Sequence, residues 1–386
     1  MGEGNTTMKV VLVALSPSIG MQFYTAGLAG ALANAGQHAV WVVGSAARRR
    51  EAFDPSVTLV AGHSFSGTGL SAQALNSAGF RRLLRLVDDI EPSVVHLTGP
   101  HVWNWPLALL LRKRYPVLLT QHDATTHEGA RGEWLKGMYR RAVLRSADCL
   151  VVHSAAVEES LRNRGLLPPA TSRMPLVHHN FDYGTYRQIR AEDSGGQYYE
   201  NMALLFGRLE EYKGVRQFVE AAHILHRDGN AGALHSEAGI KMVVAGAGRL
   251  AGSLDGAGHP PNLEVRNHLI DDRETIALFR RAGLVVLPYS EGSQSALIPL
   301  AYLFQKPVLV TRVGALPEYV RDGATGRVID SNEPQVLARA IREMLGDRET
   351  LVCMGQEGHR FLQDLEKQFV TCLLETYERA AGRARR

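Results

Sequence analysis

The first apolar block of the chain, Lys9 to Leu15, is rich in β-branched residues and gives way to Ser16-Pro17-Ser18-Ile19-Gly20 and then to a small-residue stretch from about Phe23 to Ala35, ending at Gly36. That order predicts a strand, a glycine loop and a helix. Further short apolar runs follow at Ala39 to Val43, Val57 to Ala61, Ser93 to Leu97, Val117 to Thr120 and Cys149 to His153, with helical periodicity between them, as at Ala78 to Ile90. Strands alternating with helices predict an α/β fold around a mainly parallel, doubly wound sheet. One more strand is expected at Arg173 to Val177, running into His178-His179-Asn180-Phe181-Asp182.

From Tyr183 to Asn201 the apolar pattern lapses into charged residues and Gly195-Gly196, the composition of a linker. It then restarts with strands at Met202 to Phe206, Lys241 to Ala245, Leu263 to Asn267, Leu284 to Leu287 and Val308 to Val310. Helices are expected at Val215 to Asp228, Arg273 to Arg281, Ala296 to Phe304, Glu333 to Leu345 and Arg360 to Arg379. Three parts result: an N-terminal doubly wound domain over 8–185, a second over 200–360, and a C-terminal helical segment over 361–386. Two such domains facing each other would leave a cleft at the carboxyl ends of both sheets, where open α/β folds bind ligands.

Composition narrows the classes. With 386 residues, 45% hydrophobic and 21% charged, the chain has the makeup of a folded globular protein. No apolar run approaches the roughly 18 residues of a membrane span. The 43 basic and 39 acidic residues are spread along the chain, so its charge of +4 makes no nucleic-acid stripe. Cys149, Cys353 and Cys372 lie far apart without metal or redox spacing, which points to a reducing compartment. The apolar stretch Val10 to Leu15 is too short for a signal peptide, and a cytoplasmic location is expected. Arg379, Arg383, Arg385 and Arg386 read as a solvated helix end or as a weak peripheral contact with anionic lipid at the inner membrane face.

Two loops carry candidate chemistry. Gly207-Arg208-Leu209-Glu210-Glu211-Tyr212-Lys213-Gly214 follows a strand and opens a helix, so backbone N–H groups, the Arg208 fork and the Lys213 charge can converge on a diphosphate. The same loop also reads as a solvated turn with two surface cations. Pro288-Tyr289-Ser290-Glu291-Gly292-Ser293-Gln294-Ser295 again links a strand to a helix. There Glu291 can hold sugar hydroxyls, and the N–H groups from Ser293 through Gln294 and Ser295 to Ala296 can face a phosphate. Otherwise Glu291 is a turn residue and Ser295 a helix cap. Asp88-Asp89 and Asp271-Asp272 are adjacent carboxylates on surface helices or loops, not a metal site, and His178-His179 and His223 with His226 read as interdomain or helix-face residues.

These loops, with Met242 to Gly248, Leu278 to Pro288, Lys306-Pro307-Val308 and Gly314-Ala315-Leu316-Pro317-Glu318, stand in the order that resembles glycosyltransferase family 4. The resemblance is dense over 202–330 and looser through Gly20, His96 and Thr120-Gln121-His122-Asp123. It implies a GT-B fold with a C-terminal helix crossing back to the N-terminal domain, and a retaining transfer of a hexose-type sugar from a nucleotide diphosphate-sugar to an acceptor hydroxyl. It implies that Arg208 and Lys213 neutralise the diphosphate, that Glu291 contacts the donor sugar, that Gly20 lies beside the transferred sugar and that His122 faces it, with no metal and no further cofactor; otherwise His122 reads as a core or strand-end histidine satisfied by the backbone. The acceptor would be a glycan, a lipid-linked or a small molecule. Asp123 and Glu128 are weaker candidates, and His127-Glu128-Gly129 is similar to a stretch of polysaccharide-assembling relatives. Eight positions after Glu291, where the family carries a second glutamate for the nucleotide ribose, this chain has Pro299. That departure keeps open a pseudo-glycosyltransferase or an inactive nucleotide-sugar-binding protein.

Overall fold

A computed structural model describes residues 8–35, 38–62, 65, 67–69, 71, 75–122, 133–168, 170–178, 181–192, 199–230, 239–248, 258–292 and 294–384. The chain divides into two compact units. Unit 1 is Met1–Ile189 with Glu366–Arg386, and unit 2 is Arg190–Leu365.

Unit 1 runs β1 (Met8–Ala14), α1 (Ile19–Asn34), β2 (His38–Gly44), β3 (Thr58–Ala61), α2 (Ser77–Ile90), β4 (Val94–Leu97), α3 (Asn104–Leu111), β5 (Val117–Thr120), α4 (Glu133–Ser146), β6 (Cys149–Val152), α5 (Ala155–Asn163), β7 (Thr171–Arg173) and α6 (Tyr183–Ala191). Its seven strands are all parallel in the order β3-β2-β1-β4-β5-β6-β7, with Leu12 beside Val42 on one side and beside His96 on the other. Strands covered on both faces must be apolar throughout, and β4 and β5 are buried at every position. The strand expected at Arg173 to Val177 ends at Arg173, because Pro175 has no N–H for the ladder. The stretch that reads as a linker holds α6, a helix with Ile189 as its one buried side chain and hence almost no apolar period to detect.

Unit 2 runs β8 (Met202–Phe206), α7 (Val215–Asn230), β9 (Lys241–Ala245), β10 (Leu263–Arg266), α8 (Asp272–Arg281), β11 (Leu284–Leu287), α9 (Leu297–Leu303), β12 (Val308–Thr311), β13 (Gly326–Ile329), α10 (Pro334–Gly346) and α11 (Arg348–Ala384). Its parallel sheet has the order β10-β9-β8-β11-β12-β13. In both sheets the winding reverses beside the first strand, at β1/β4 and at β8/β11. Such switch points are where open α/β sheets bind ligands. The helix α11 starts twelve residues before the expected Arg360 and spans 37 residues. Gly355 and Gly358 hide its beginning from a propensity reading, yet both lie where a Cβ would meet the Gln305 carbonyl oxygen at 2.0 Å and the Tyr302 ring at 2.5 Å. Its last part, from Glu366, belongs to unit 1.

Candidate functional site

At the unit 2 switch point the loops after β8 and β11 are joined. The Ser290 N–H donates to the Tyr212 carbonyl oxygen at 2.8 Å, and the Tyr212 and Tyr289 rings meet edge to face at 5.8 Å. Gly214 makes this possible: its φ is +71°, and a Cβ there would lie 2.1 Å from the Pro288 carbonyl oxygen. Arg208 and Lys213 therefore sit beside the Glu291 loop although some 80 residues separate them in sequence.

The two cations differ. Arg208 is 74% exposed and paired with Glu210 at 2.8 Å. Lys213 is buried, its Nζ 5.4 Å from the Tyr289 ring centre and 3.1 Å from where a Gly207 Cβ would stand. No carboxylate pairs with it among the described residues. Burial, then the neighbouring Arg208 charge, pull its pKa down to about 8, with Glu210 opposing. A buried ammonium without a paired carboxylate is costly until an anion arrives.

Tyr289 is buried, its hydroxyl 3.3 Å from Ser295 Oγ, which also accepts from the Leu297 N–H at 3.3 Å. Burial raises the Tyr289 phenol pKa. Glu291 is exposed, Gln294 and Ser295 are half-buried, and Ala296 is the N-cap residue of α9. The Gln294 Oε1 is buried without a hydrogen-bond partner among the described residues. Ser293 lies outside the described residues, as do Asp123, Glu128 and His179. Pro299 is buried in the first turn of α9, where an N–H would be unpaired in any case.

At the unit 1 switch point the chemistry is different. His122, two residues past the end of β5, is buried and donates from Nε2 to the Thr98 carbonyl oxygen at 3.0 Å. Its ring lies 4.6 Å from Tyr24 and 5.4 Å from His153. The Tyr24 hydroxyl and His96 Nε2 share Thr120 Oγ1 at 2.9 and 2.8 Å, and His96 Nδ1 bonds the Tyr377 hydroxyl of α11. His153 Nδ1 donates to the Met174 carbonyl oxygen at 3.1 Å. His178 sits 4.7 Å from Tyr24 and 5.1 Å from Phe369, so it is a core residue of this edge and not an interdomain or helix-face histidine. Burial pulls the pKa of His96 and of His178 down to about 3, and that of His153 down as well, with His122 adding to each shift. The Tyr24 phenol is pushed up by burial. Gly20 belongs to the first turn of α1 instead of the loop before it, because Ser18 O already accepts from the Met21 and Gln22 N–H groups; a Cβ there would meet only Ser18 Oγ, at 4.0 Å.

Sequence reasoning passed over Tyr24 and His153 as site residues. Their signal was positional: His153 directly follows the apolar strand β6, at the carboxyl edge of a parallel sheet. Among the described residues no three His, Cys, Asp or Glu side chains are grouped to hold a metal ion.

Two parallel α/β sheets of this order, of seven and six strands, are the architecture of the GT-B fold. The model of glycosyltransferase family 4 matches residues 19–179 and that of the group 1 glycosyl transferases matches 200–347. The chain belongs to the family-4 type of these enzymes. It is 26% identical to the D-inositol 3-phosphate glycosyltransferase of Corynebacterium glutamicum, over 75% of this chain and 72% of that protein. With the glycogen synthase of Mycobacterium tuberculosis it shares 27%, over 75% of this chain and 67% of the other. Among solved structures, the sucrose-phosphate synthase of Thermosynechococcus elongatus aligns with a TM-score of 0.68 at 17% identity, covering 95% of this chain and 97% of that one. The Anabaena protein HepE in complex with UDP and glucose aligns at 0.66 and 13%, covering 96% and 98%.

Proposed function

We propose that this glycosyltransferase moves a sugar from a nucleotide diphosphate-sugar to an acceptor hydroxyl with retention at the anomeric carbon, in the assembly of a glycan, polysaccharide or glycosylated metabolite. The observation that carries the reading is Lys213, a buried ammonium with no carboxylate partner among the described residues, at the switch point of unit 2. Arg208 adds a second, exposed charge, and Glu291 is assigned to the donor sugar. His122 joins the set on the family resemblance.

In the reaction the bond from the anomeric carbon to the diphosphate oxygen breaks, the bond to the acceptor oxygen forms on the same face, and the acceptor proton leaves with the diphosphate. Positioning and charge stabilisation are what such a reaction asks of the protein. Lys213 and Arg208 would answer the charge that develops on the leaving group, with no divalent ion required. UDP and UDP-glucose are the first donors to try, since HepE, of the same fold, is described with both.

Calorimetric titration with UDP, GDP and ADP tests the donor site, and proton NMR of the product anomer tests retention. Absence of binding by every nucleoside diphosphate would falsify the donor assignment, and loss of transfer with a chelator, restored by magnesium, would remove the metal-independent part. Pro299 supports a second reading, a fold that binds nucleotide-sugar without turnover. Measurable transfer or donor hydrolysis would exclude it.

A further inference from the structure

Four large apolar side chains stand exposed on two neighbouring helices of unit 1: Trp105 (43%), Leu109 (41%) and Leu110 (39%) on α3, and Met138 (53%) on α4. The helices run side by side in the same direction. The Trp105 N–H donates to the Tyr139 hydroxyl near their starts, and Arg112 Nη1 donates to the Arg145 carbonyl oxygen near their ends. Trp105, Leu109 and Arg112 share one face of α3 by their i, i+4, i+7 spacing, and Met138, Arg141 and Arg145 share one face of α4. The surface therefore sets apolar and basic side chains next to each other, Leu109 close to Arg112 and Met138 one turn before Arg141, with Arg145 at the end of α4.

Beside the basic end lies a cavity of about 450 Å³, lined among others by Arg112, Lys113, Arg114, Asp148, Thr171 and Arg379. Two of its cations are neutralised, Arg112 by Asp148 at 3.2 Å and Arg114 by Asp88 at 2.7 Å. Lys113 and Arg379 have no carboxylate partner among the described residues; Arg379 donates only to the Glu375 carbonyl oxygen. The cavity opens at the amino ends of β5, β6 and β7, whereas His122 and His153 follow the carboxyl ends of β5 and β6. It is thus separate from the site already described.

Cations at the ends of α3 and α4 answer the helix dipoles, but this leaves the exposed Trp, Leu and Met side chains of the same helices unexplained. An aromatic and aliphatic patch continuous with unneutralised Arg and Lys matches one partner chemically, a bilayer surface carrying anionic phosphate headgroups. We propose that this face of unit 1 docks on an anionic membrane, with Trp105, Leu109, Leu110 and Met138 entering the interface and the Lys113 and Arg379 cavity receiving a headgroup phosphate. No helix of the described residues is long and apolar enough to cross a membrane, so the contact is peripheral. It goes beyond the donor reading of unit 2 and does not depend on it.

The test is flotation of the full chain with vesicles of phosphatidylcholine alone and of phosphatidylcholine with phosphatidylglycerol in equal parts. Binding is expected to the mixed vesicles only, and to weaken with salt. The Lys113→Gln/Arg379→Gln variant should partition about 25-fold less, since each cation near such a surface is worth about fivefold. Trp105→Ser should lose about tenfold, as partial exclusion of a large apolar side chain from water predicts; Leu109→Ser, with a melting curve for each variant, separates lost docking from lost folding. UDP affinity serves as the independent control, since failure of the donor reading would alter it in the parent chain and failure of docking would not. Equal binding to both vesicle types, binding to neither, or variants that bind like the parent would overturn the proposal. So would inorganic phosphate bound at the cavity without vesicle binding, or a dimer in solution that Trp105→Ser dissociates.

Discussion

At the carboxyl edge of the unit 1 sheet the polar side chains are Tyr24, His96, His122, His153 and His178, all buried, whereas at the same edge of unit 2 they are Arg208, Glu210, Lys213 and Glu291, three of them at the surface or half-exposed and Lys213 buried beside them. Both edges rest on the same strand order. Neutral imidazoles and phenols can be buried once hydrogen-bonded or packed on one another, and the His96–Thr120–Tyr24 bonds show this. A cation cannot be buried so cheaply, and the Tyr289 ring and the nearby Glu210 charge offset the desolvation of Lys213 only in part. One edge is closed by its own side chains; at the other, the proposed donor diphosphate would supply the counter-charge that Lys213 lacks.

The largest test of that contrast is Glu291→Gln. Turnover should fall by roughly 10²–10³, the usual loss when a preorganised electrostatic group is neutralised, while UDP affinity measured by calorimetry stays near that of the parent. A variant with parental turnover would make Glu291 a turn residue. Next, Lys213→Ala should weaken UDP by roughly tenfold to a hundredfold, since a charge-assisted contact is worth about 1.5–3 kcal/mol. Arg208→Ala should cost less, because Arg208 is exposed and held by Glu210. The reverse ranking in calorimetry would show that the buried cation does not set the affinity.

Unit 1 is expected to be the acid-sensitive half. His96 and His178 stay neutral in the fold, both pulled down to about 3 chiefly by burial, while the unfolded chain takes up protons near 6.5. The unfolded state then binds more protons as pH falls, so stability is full above about pH 6.5 and is lost progressively between about 6.5 and 3. Each such histidine contributes a slope of about 1.4 kcal/mol per pH unit within that window. Hydrogen exchange of β1 and β4 amides should accelerate between pH 7 and pH 5 before that of β8 and β11, and His178→Met should flatten the dependence. Equal acceleration in both sheets would remove the contrast.

The smallest effect concerns Lys213 in the free protein. Its ammonium deprotonates at a pKa of about 8, so UDP affinity should decline a fewfold as pH rises from 7 to 9. Lys213→Arg should make affinity flat over that range, because a guanidinium stays charged.

The strand-helix alternation was legible along the whole chain because buried parallel strands must be continuous apolar runs. So was the Gly207 to Gly214 loop, whose glycines and cations are contiguous in sequence. Less legible were β13, four residues beginning at Gly326, and the first turns of α11, where Gly355 and Gly358 follow backbone packing instead of helix propensity. Tyr24 and His153 were not legible as partners of His122, since an isolated His or Tyr in an apolar setting carries no spacing signal.

By itself, then, the amino-acid sequence determined the two parallel sheets, the two loops that follow β8 and β11, and the class of enzyme they resemble, because all of these rest on local periodicity and contiguous residues. Only the tertiary structure decided that Lys213 is buried while Arg208 is exposed, that the histidines of four separate segments share one core, and that Trp105 and Met138 lie on one surface. Burial and side-chain proximity are properties of the packed chain, in which residues far apart in sequence remove each other's water.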